Sequence, residues 1–193
     1  GVNGRKSTRS SSYVFALPGQ QEMKAEISQS QKSTERKIDE SLKKAKDLKE
    51  SIDEAQQKLR GKQMMDWQDK KMLEDLIKQK ENLDQLIDEL QKQNQLLNQK
   101  KESLSEMDEK MKEKTEQIQK LMEDLLDEET KKLFEELEKL MRENSDISQI
   151  QKQLDKMDRK EINLEKELER TLELFKQLQY DYKLDQAIQE IKD

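Results

Sequence analysis

The side chains able to do chemistry in this chain are carboxylates and amines. It holds 44 Asp and Glu and 38 Lys and Arg, with no His and no Cys among 193 residues. There is therefore no imidazole base, no thiolate nucleophile and no nitrogen or sulfur ligand for a zinc ion. Disulfides are ruled out as well, so cysteine usage says nothing about redox compartment. The glycines are Gly1, Gly4, Gly19 and Gly61, too few for a phosphate-binding loop or a dinucleotide fingerprint. Catalysis by carboxylates alone is the one enzymatic route left open. With acids spread over what reads as exposed helix, any chosen pair is better read as a solvated surface pair. The chain thus reads as non-catalytic, with no cofactor and no metal.

What those charges decorate is a ladder of apolar residues seven apart: Leu76, Leu83, Leu90, Leu97, Leu104, Met111, Ile118 and Leu125. A seven-residue repeat keeps one narrow stripe of a helix turned towards a partner helix, the pattern of a coiled coil. Composition agrees: 42% of residues are charged, 31% hydrophobic and 4% aromatic. A compact globule needs roughly 45–50% apolar residues, whereas a coiled-coil seam needs only about two positions in seven. Disorder is the competing reading of such polarity, and the sustained register argues against it.

The net charge is −6, with acids and bases intermixed rather than gathered into a basic stripe, so nucleic acid is not the expected partner. Glu-to-Lys or Glu-to-Arg pairs four apart support single helices: Glu40 with Lys44, Glu54 with Lys58, Glu106 with Lys110, Glu116 with Lys120, Glu135 with Lys139 and Glu138 with Arg142. The longest apolar run, Tyr13 to Leu17, falls far short of the roughly 20 residues that cross a bilayer, so no direct membrane contact is expected.

Along the chain, residues 1–19 stand apart. Asn3-Gly4 is a turn dipeptide, and Ser11 to Leu17 reads as a β-strand closed by Pro18-Gly19. Two readings stand: the last strand of an upstream β-rich domain, or an unstructured tail. Residues 20–193 read as one elongated helical region. A first helix over about 20–60 carries Ile38, Ala45, Ile52 and Leu59 interleaved with Thr34, Ser41, Leu48 and Ala55. Gly61 marks its end, and Trp67 is read as an aromatic closing the end of a bundle.

A second helix is expected over about 66–126, roughly 90 Å long. Beside its ladder runs a mostly polar seam of Leu73, Lys80, Ile87, Asn94, Lys101, Asp108, Thr115 and Met122. Asn94 in that seam suits a register-setting polar contact, but a solvated edge is the favoured reading. Asp127-Glu128-Glu129-Thr130 begins a short helix over about 128–143. Asp146 with Gln149 reads as an N-cap and its reciprocal partner for a last helix over about 147–192. That helix carries Leu154, Leu164, Leu168, Phe175 and Leu178 in heptad register.

The fold class is all-α: a long antiparallel coiled-coil or helical hairpin behind a short strand-like N-terminal tail. The stretch from Asp66 to Leu126 matches that from Asp127 to Asp193 in length, so folding back near Asp127 would pair them. The rival is an extended rod that dimerises along the Leu76 to Leu125 ladder. The chain starts at Gly1 rather than Met and its pattern runs to the last residues, which reads as part of a longer protein.

Three stretches carry a resemblance. They are Gly1-Val2-Asn3-Gly4 with Lys6-Ser7 and Arg9-Ser10, then Leu126-Asp127-Glu128-Glu129-Thr130-Lys131-Lys132-Leu133-Phe134-Glu135-Glu136-Leu137, and Leu168-Glu169-Arg170-Thr171-Leu172-Glu173-Leu174-Phe175-Lys176-Gln177-Leu178. Together they resemble the large, membrane-anchored, coiled-coil-rich envelope proteins of Bacteroidota-type bacteria, a family of unknown function. The resemblance implies a membrane segment, then a β-rich region, then long helices on the periplasmic side, with Gly1 to Leu17 as the closing strand. It supplies no catalytic residues. A cytoplasmic location stays open.

The function expected on these grounds is a structural or scaffold segment of an envelope protein. Its partners would be proteins, either other helices or a second copy, held by helix-in-groove contacts anchored at Leu83, Leu90, Leu97 and Leu104. The alternative is the coiled-coil arm of an ATP-driven machine whose catalytic domain lies elsewhere.

Overall fold

The computed structural model describes residues 19–104 and 106–192. Within them the chain is all-α: α1 (Gln20–Leu59), α2 (Trp67–Leu104), α3 (Glu109–Asp124), α4 (Glu128–Arg142) and α5 (Ile147–Lys192). The strand-like segment Ser11 to Leu17 lies outside the described residues. α1 ends where Gly61 takes φ +77°, a left-handed conformation that a Cβ disfavours. α2 opens on a reciprocal cap: Asp69 N–H donates to Asp66 Oδ1 (2.8 Å) and Asp66 N–H to Asp69 Oδ2 (3.0 Å). Asp127 caps α4 by accepting from the Glu129 N–H (3.0 Å) and the Thr130 hydroxyl (3.1 Å). At the start of α5 the Asp146 carboxylate accepts from the Ser148 N–H (3.3 Å), while the Gln149 N–H donates to the Asp146 backbone carbonyl (3.0 Å) rather than to its side chain.

The helix expected over 66–126 is two helices. α2 stops at Leu104, and α3 begins after Asp108, whose carboxylate accepts from the Met111 N–H at 2.7 Å. Periodicity is blind to this break, because Leu97, Leu104, Met111 and Ile118 stay seven apart across it. The local signal is polar: Ser103 Oγ bonds back to the Lys100 carbonyl (2.8 Å), and Asp108 caps α3. The turn therefore falls between Leu104 and Glu109, not at Asp127. By doubling back, α3 buries Met111, Thr115, Ile118 and Met122, a face that a single long helix would leave half-covered.

The result is an antiparallel bundle four helices in cross-section, up-down-up-down, with α3 and α4 end to end as one of the four. Cross-links mark the register. Lys37 meets Glu89 (3.0 Å) between α1 and α2, and Asn94 meets Gln119 (2.7 Å) between α2 and α3. Lys160 meets Glu129 (2.8 Å) between α5 and α4, and Lys46 meets Glu169 (3.6 Å) between α1 and α5. α1 and the α3–α4 pair each pack on both α2 and α5, so α2 and α5 run parallel on one diagonal. At 1.5 Å per residue, the 40 residues of α1 give a body about 60 Å long, against the 90–100 Å of the expected hairpin.

Each helix of such a bundle needs an apolar stripe wide enough for two neighbours, and the sequence provides paired seams. In α1, Ile38, Ala45, Ile52 and Leu59 lie buried beside Thr34, Ser41, Leu48 and Ala55. The Thr34 and Ser41 hydroxyls satisfy themselves on carbonyls one turn back, at Ser30 (2.8 Å) and Lys37 (2.7 Å). Of the helical ion pairs expected from spacing, Glu40–Lys44 (3.7 Å) and Glu138–Arg142 (3.0 Å) form among the described residues. Several other lysines instead reach across to another helix, as Lys37 and Lys46 do.

Asp108 gives a test of the break with opposite signs. At an N-cap, Asp108→Ala costs about 1 kcal/mol. In the interior of an unbroken helix the same change would stabilise by about 0.5 kcal/mol, because Ala is the better helix former. Urea unfolding of the variant distinguishes them, and the expected outcome is a loss.

Candidate functional site

The seam expected to be a wet edge of the second helix is buried. Leu73, Lys80, Ile87, Asn94 and Lys101 on α2, with Thr115 and Met122 on α3, all face inward, and only Asp108 of that series is exposed, as the α3 cap. The physical reason is the bundle itself. α2 has α1 on one side and α3–α4 on the other, so both of its seams point to the interior. α5 carries a matching inward series, Ile147, Leu154, Glu161, Leu168, Phe175 and Tyr182, also seven apart. The two series run parallel across the bundle.

Three polar layers interrupt this core. In the first, Lys80 Nζ of α2 donates to Glu161 Oε1 of α5 at 3.0 Å. Lys80 is 5% exposed and Glu161 is fully buried. Lys80 also lies 3.3 Å from Asp84 and 5.6 Å from the centre of the Phe134 ring on α4. One ammonium thus ties α2, α4 and α5 together. Burial pushes the Glu161 carboxyl above the ordinary carboxylate range, by more than the neighbouring Lys80 pulls it down. Its Oε2 has no hydrogen-bond partner among the described residues. Asp84 is raised by burial in the same way.

In the second layer Asn94 donates to Gln119 Oε1 (2.7 Å), and Gln119 passes the chain on to Glu123 (3.1 Å). In the third, the Lys101 ammonium sits 4.9 Å from the centre of the Tyr182 ring. Lys101 is 1% exposed, and burial pulls its ammonium down to about 8. Glu161 and Lys101 escape a reading for apolar residues because they are polar. The signal that finds them is position: Glu161 is seven residues from both Leu154 and Leu168, and Lys101 is seven from Asn94.

The ladder residues Leu76, Leu83, Leu90 and Leu97 of α2, with Met111, Ile118 and Leu125 further on, lie in the core, and Leu104 is half-buried against it. Leu154, Leu164, Leu168, Phe175 and Leu178 of α5 lie in the same core. Leu83, Leu90 and Leu97 are therefore covered by their own chain, and are not the free anchors for a partner that the sequence suggests.

What is left outside is different. Trp67 does not close the bundle: it is 72% exposed at the first position of α2, with Lys71 Nζ 5.3 Å from its ring centre. The end is instead closed by the Asp66–Asp69 cap, with Lys62 held on Asp69 at 2.8 Å. Met64 beside it is exposed too, and a shallow cleft of about 320 Å³ runs from Trp67 between α1 and α2 past Ser51, Lys58, Asp75 and Gln79. At the far end of the molecule Leu184, Ile188 and Ile191 are exposed on α5. No helix of the described residues is long and apolar enough to cross a membrane. Compared with models of known families, with curated proteins and with solved structures, the chain finds no match.

Lys101 makes a pH-dependent prediction. Below pH 8 the folded protein holds a buried ammonium and bears the full penalty, on the order of 3 kcal/mol. Between about 8 and 10.5 the folded state sheds that proton before the unfolded chain does, so the Lys101 contribution improves as pH rises. Lys101→Met is expected to stabilise the protein at pH 7 by about 1–3 kcal/mol, part of the gain being offset by the lost contact with Tyr182. The gain should shrink towards pH 10.5, and urea titrations at the two pH values measure it. A variant less stable than the parent at pH 7 would contradict the penalty.

Proposed function

We propose that this chain is a non-catalytic helical spacer and scaffold of a bacterial cell-envelope protein, acting through protein contacts on its helix surfaces. The observation that supports this best is the fate of the ladder. Its apolar seams are spent on one another inside a single chain, which yields a stiff body about 60 Å long. Apart from Leu96 on the flank of α2, the large exposed apolar groups among the described residues lie towards the two ends of that body. The α1–α2 turn offers Met64 and Trp67, and a large aromatic at an exposed turn is the residue type that dominates binding energy at protein interfaces.

The flanks suit a scaffold. A cleft of about 490 Å³ between α2 and α4 is lined by Lys70, Glu74, Lys78, Glu81, Glu138 and Arg142, acids and bases in alternation over Ile77 and Met141. Such a lining favours solubility and oriented contact rather than the convergence of groups on one reacting atom. The ionisable groups inside the bundle face packing partners from other helices, which gives them a structural part. The envelope setting rests on the resemblance of residues 1–10, 126–137 and 168–178 to large envelope proteins of Bacteroidota-type bacteria.

Light scattering joined to small-angle X-ray scattering over a concentration series tests the spacer reading. The expected result is a mass of 23.0 kDa at every concentration and a maximum dimension near 70 Å, the length of the 46 residues of α5. A dimeric mass, or a rod well beyond about 100 Å, would replace it with a self-associating filament.

A further inference from the structure

α5 runs on past the start of α3 and keeps α1 beside its last turns. Tyr182 is its last buried residue, opposite Lys101 near the end of α2. Beyond it Leu184, Ile188 and Ile191 are 50%, 44% and 85% exposed. Their spacing of four and then three puts them on one side of the helix, with Tyr180 one turn earlier on the same side and 68% exposed. Tyr182 points to the core, and at 100° per residue this stripe faces away from it. It is an apolar face that no helix of the described bundle covers.

The start of α1 lies beside it. Lys24 Nζ is 3.7 Å from Glu190 Oε1, so Gly19 and Gln20 stand level with the last turn of α5. Immediately before Gly19 the chain reads Tyr13-Val14-Phe15-Ala16-Leu17-Pro18, which contains its longest apolar run. At roughly 3.3 Å per residue, Leu17 can reach about 7 Å from Gly19 and Tyr13 about 20 Å. The stripe from Leu184 to Ile191 spans about 10 Å. The run and the stripe are matched in length and joined by a tether of two residues.

Area decides between a tethered occupant and a free one. Stable association of separate molecules buries roughly 1,200–2,000 Å² in total, far more than this handful of side chains supplies. A segment on a short tether works at an effective concentration in the millimolar range, so an intrinsic affinity of about 4 kcal/mol suffices to occupy the stripe. Burying a few aliphatic and aromatic side chains, at roughly 1.5–3 kcal/mol each, reaches that level.

We propose that the segment Tyr13 to Leu17 of this same chain docks on the stripe Leu184, Ile188 and Ile191 and covers the end of the bundle where α1 begins and α5 ends. The test uses the whole chain, which has no cysteine of its own. Ile188→Cys is introduced and its alkylation rate by iodoacetamide is measured with and without Val14→Ser and Phe15→Ser. Ile188 lies outside the core, so circular dichroism of the Ile188→Cys protein should match that of the parent. The expected result is alkylation about threefold or more slower with the native segment, independent of protein concentration. Equal rates in the two backgrounds overturn the proposal. Protection that grows with concentration overturns it too, and assigns the stripe to a second copy.

Discussion

Lys80 and Glu161 meet at 3.0 Å in a layer where Glu161 is fully buried and Lys80 nearly so, and the arrangement of the bundle follows from keeping them together. Removing two charges from water costs several kcal/mol per ion, and their attraction offsets that only in good geometry. A slip of seven residues between α2 and α5, which would keep the core series in step, would set Lys80 against Leu168 and Glu161 against Leu73, an ammonium and a carboxylate each facing leucine. The apolar layers cannot enforce this alone, because one leucine layer resembles the next. The pair therefore acts less as a source of stability than as a constraint on register. The Phe134 ring against the same ammonium extends that constraint to α4.

The other polar layers act along the same axis. Asn94 with Gln119 fixes α3 against α2 just inside the turn, and Lys101 under Tyr182 marks the last closed layer before the bundle opens. α1 contributes differently. Its seams hold Ala45, Ala55, Ser41 and Thr34, small residues that bury little area but let α2 and α5 approach closely. Its register comes from outside the core, through Lys37 to Glu89, Lys46 to Glu169 and Lys24 to Glu190. Exposed pairs of this kind contribute little each, so α1 depends on its neighbours to stay folded.

Helix type and most boundaries were legible in the residues. The α1 end at Gly61, the α4 start at Asp127 and the seams of α1 and α5 all follow from capping chemistry and periodicity. The turn after Leu104 was not, because the heptad step passes through it unbroken and only Ser103 and Asp108 mark it. Nor was the burial of Lys80, Lys101 and Glu161. A charged residue is read as exposed by type, and only its place in the seven-residue step, between residues that are plainly core, points the other way. Trp67 misleads in the opposite sense: its size suggests an aromatic closing the end of the bundle, yet it is exposed and the cap formed by Asp66 and Asp69 closes that end without it.

The central claim is that the Lys80–Glu161 contact fixes how the helices align, and a double-mutant cycle addresses it directly. Lys80→Met alone leaves the Glu161 carboxylate buried without a cation and should cost about 3–5 kcal/mol at pH 7. The loss should ease on acidification, because protonating Glu161 removes the uncompensated charge. Lys80→Met with Glu161→Met should return stability to within about 1 kcal/mol of the parent, or above it. If the two single changes simply add in the double variant, the side chains do not meet in the interior and this alignment of α2 with α5 is wrong.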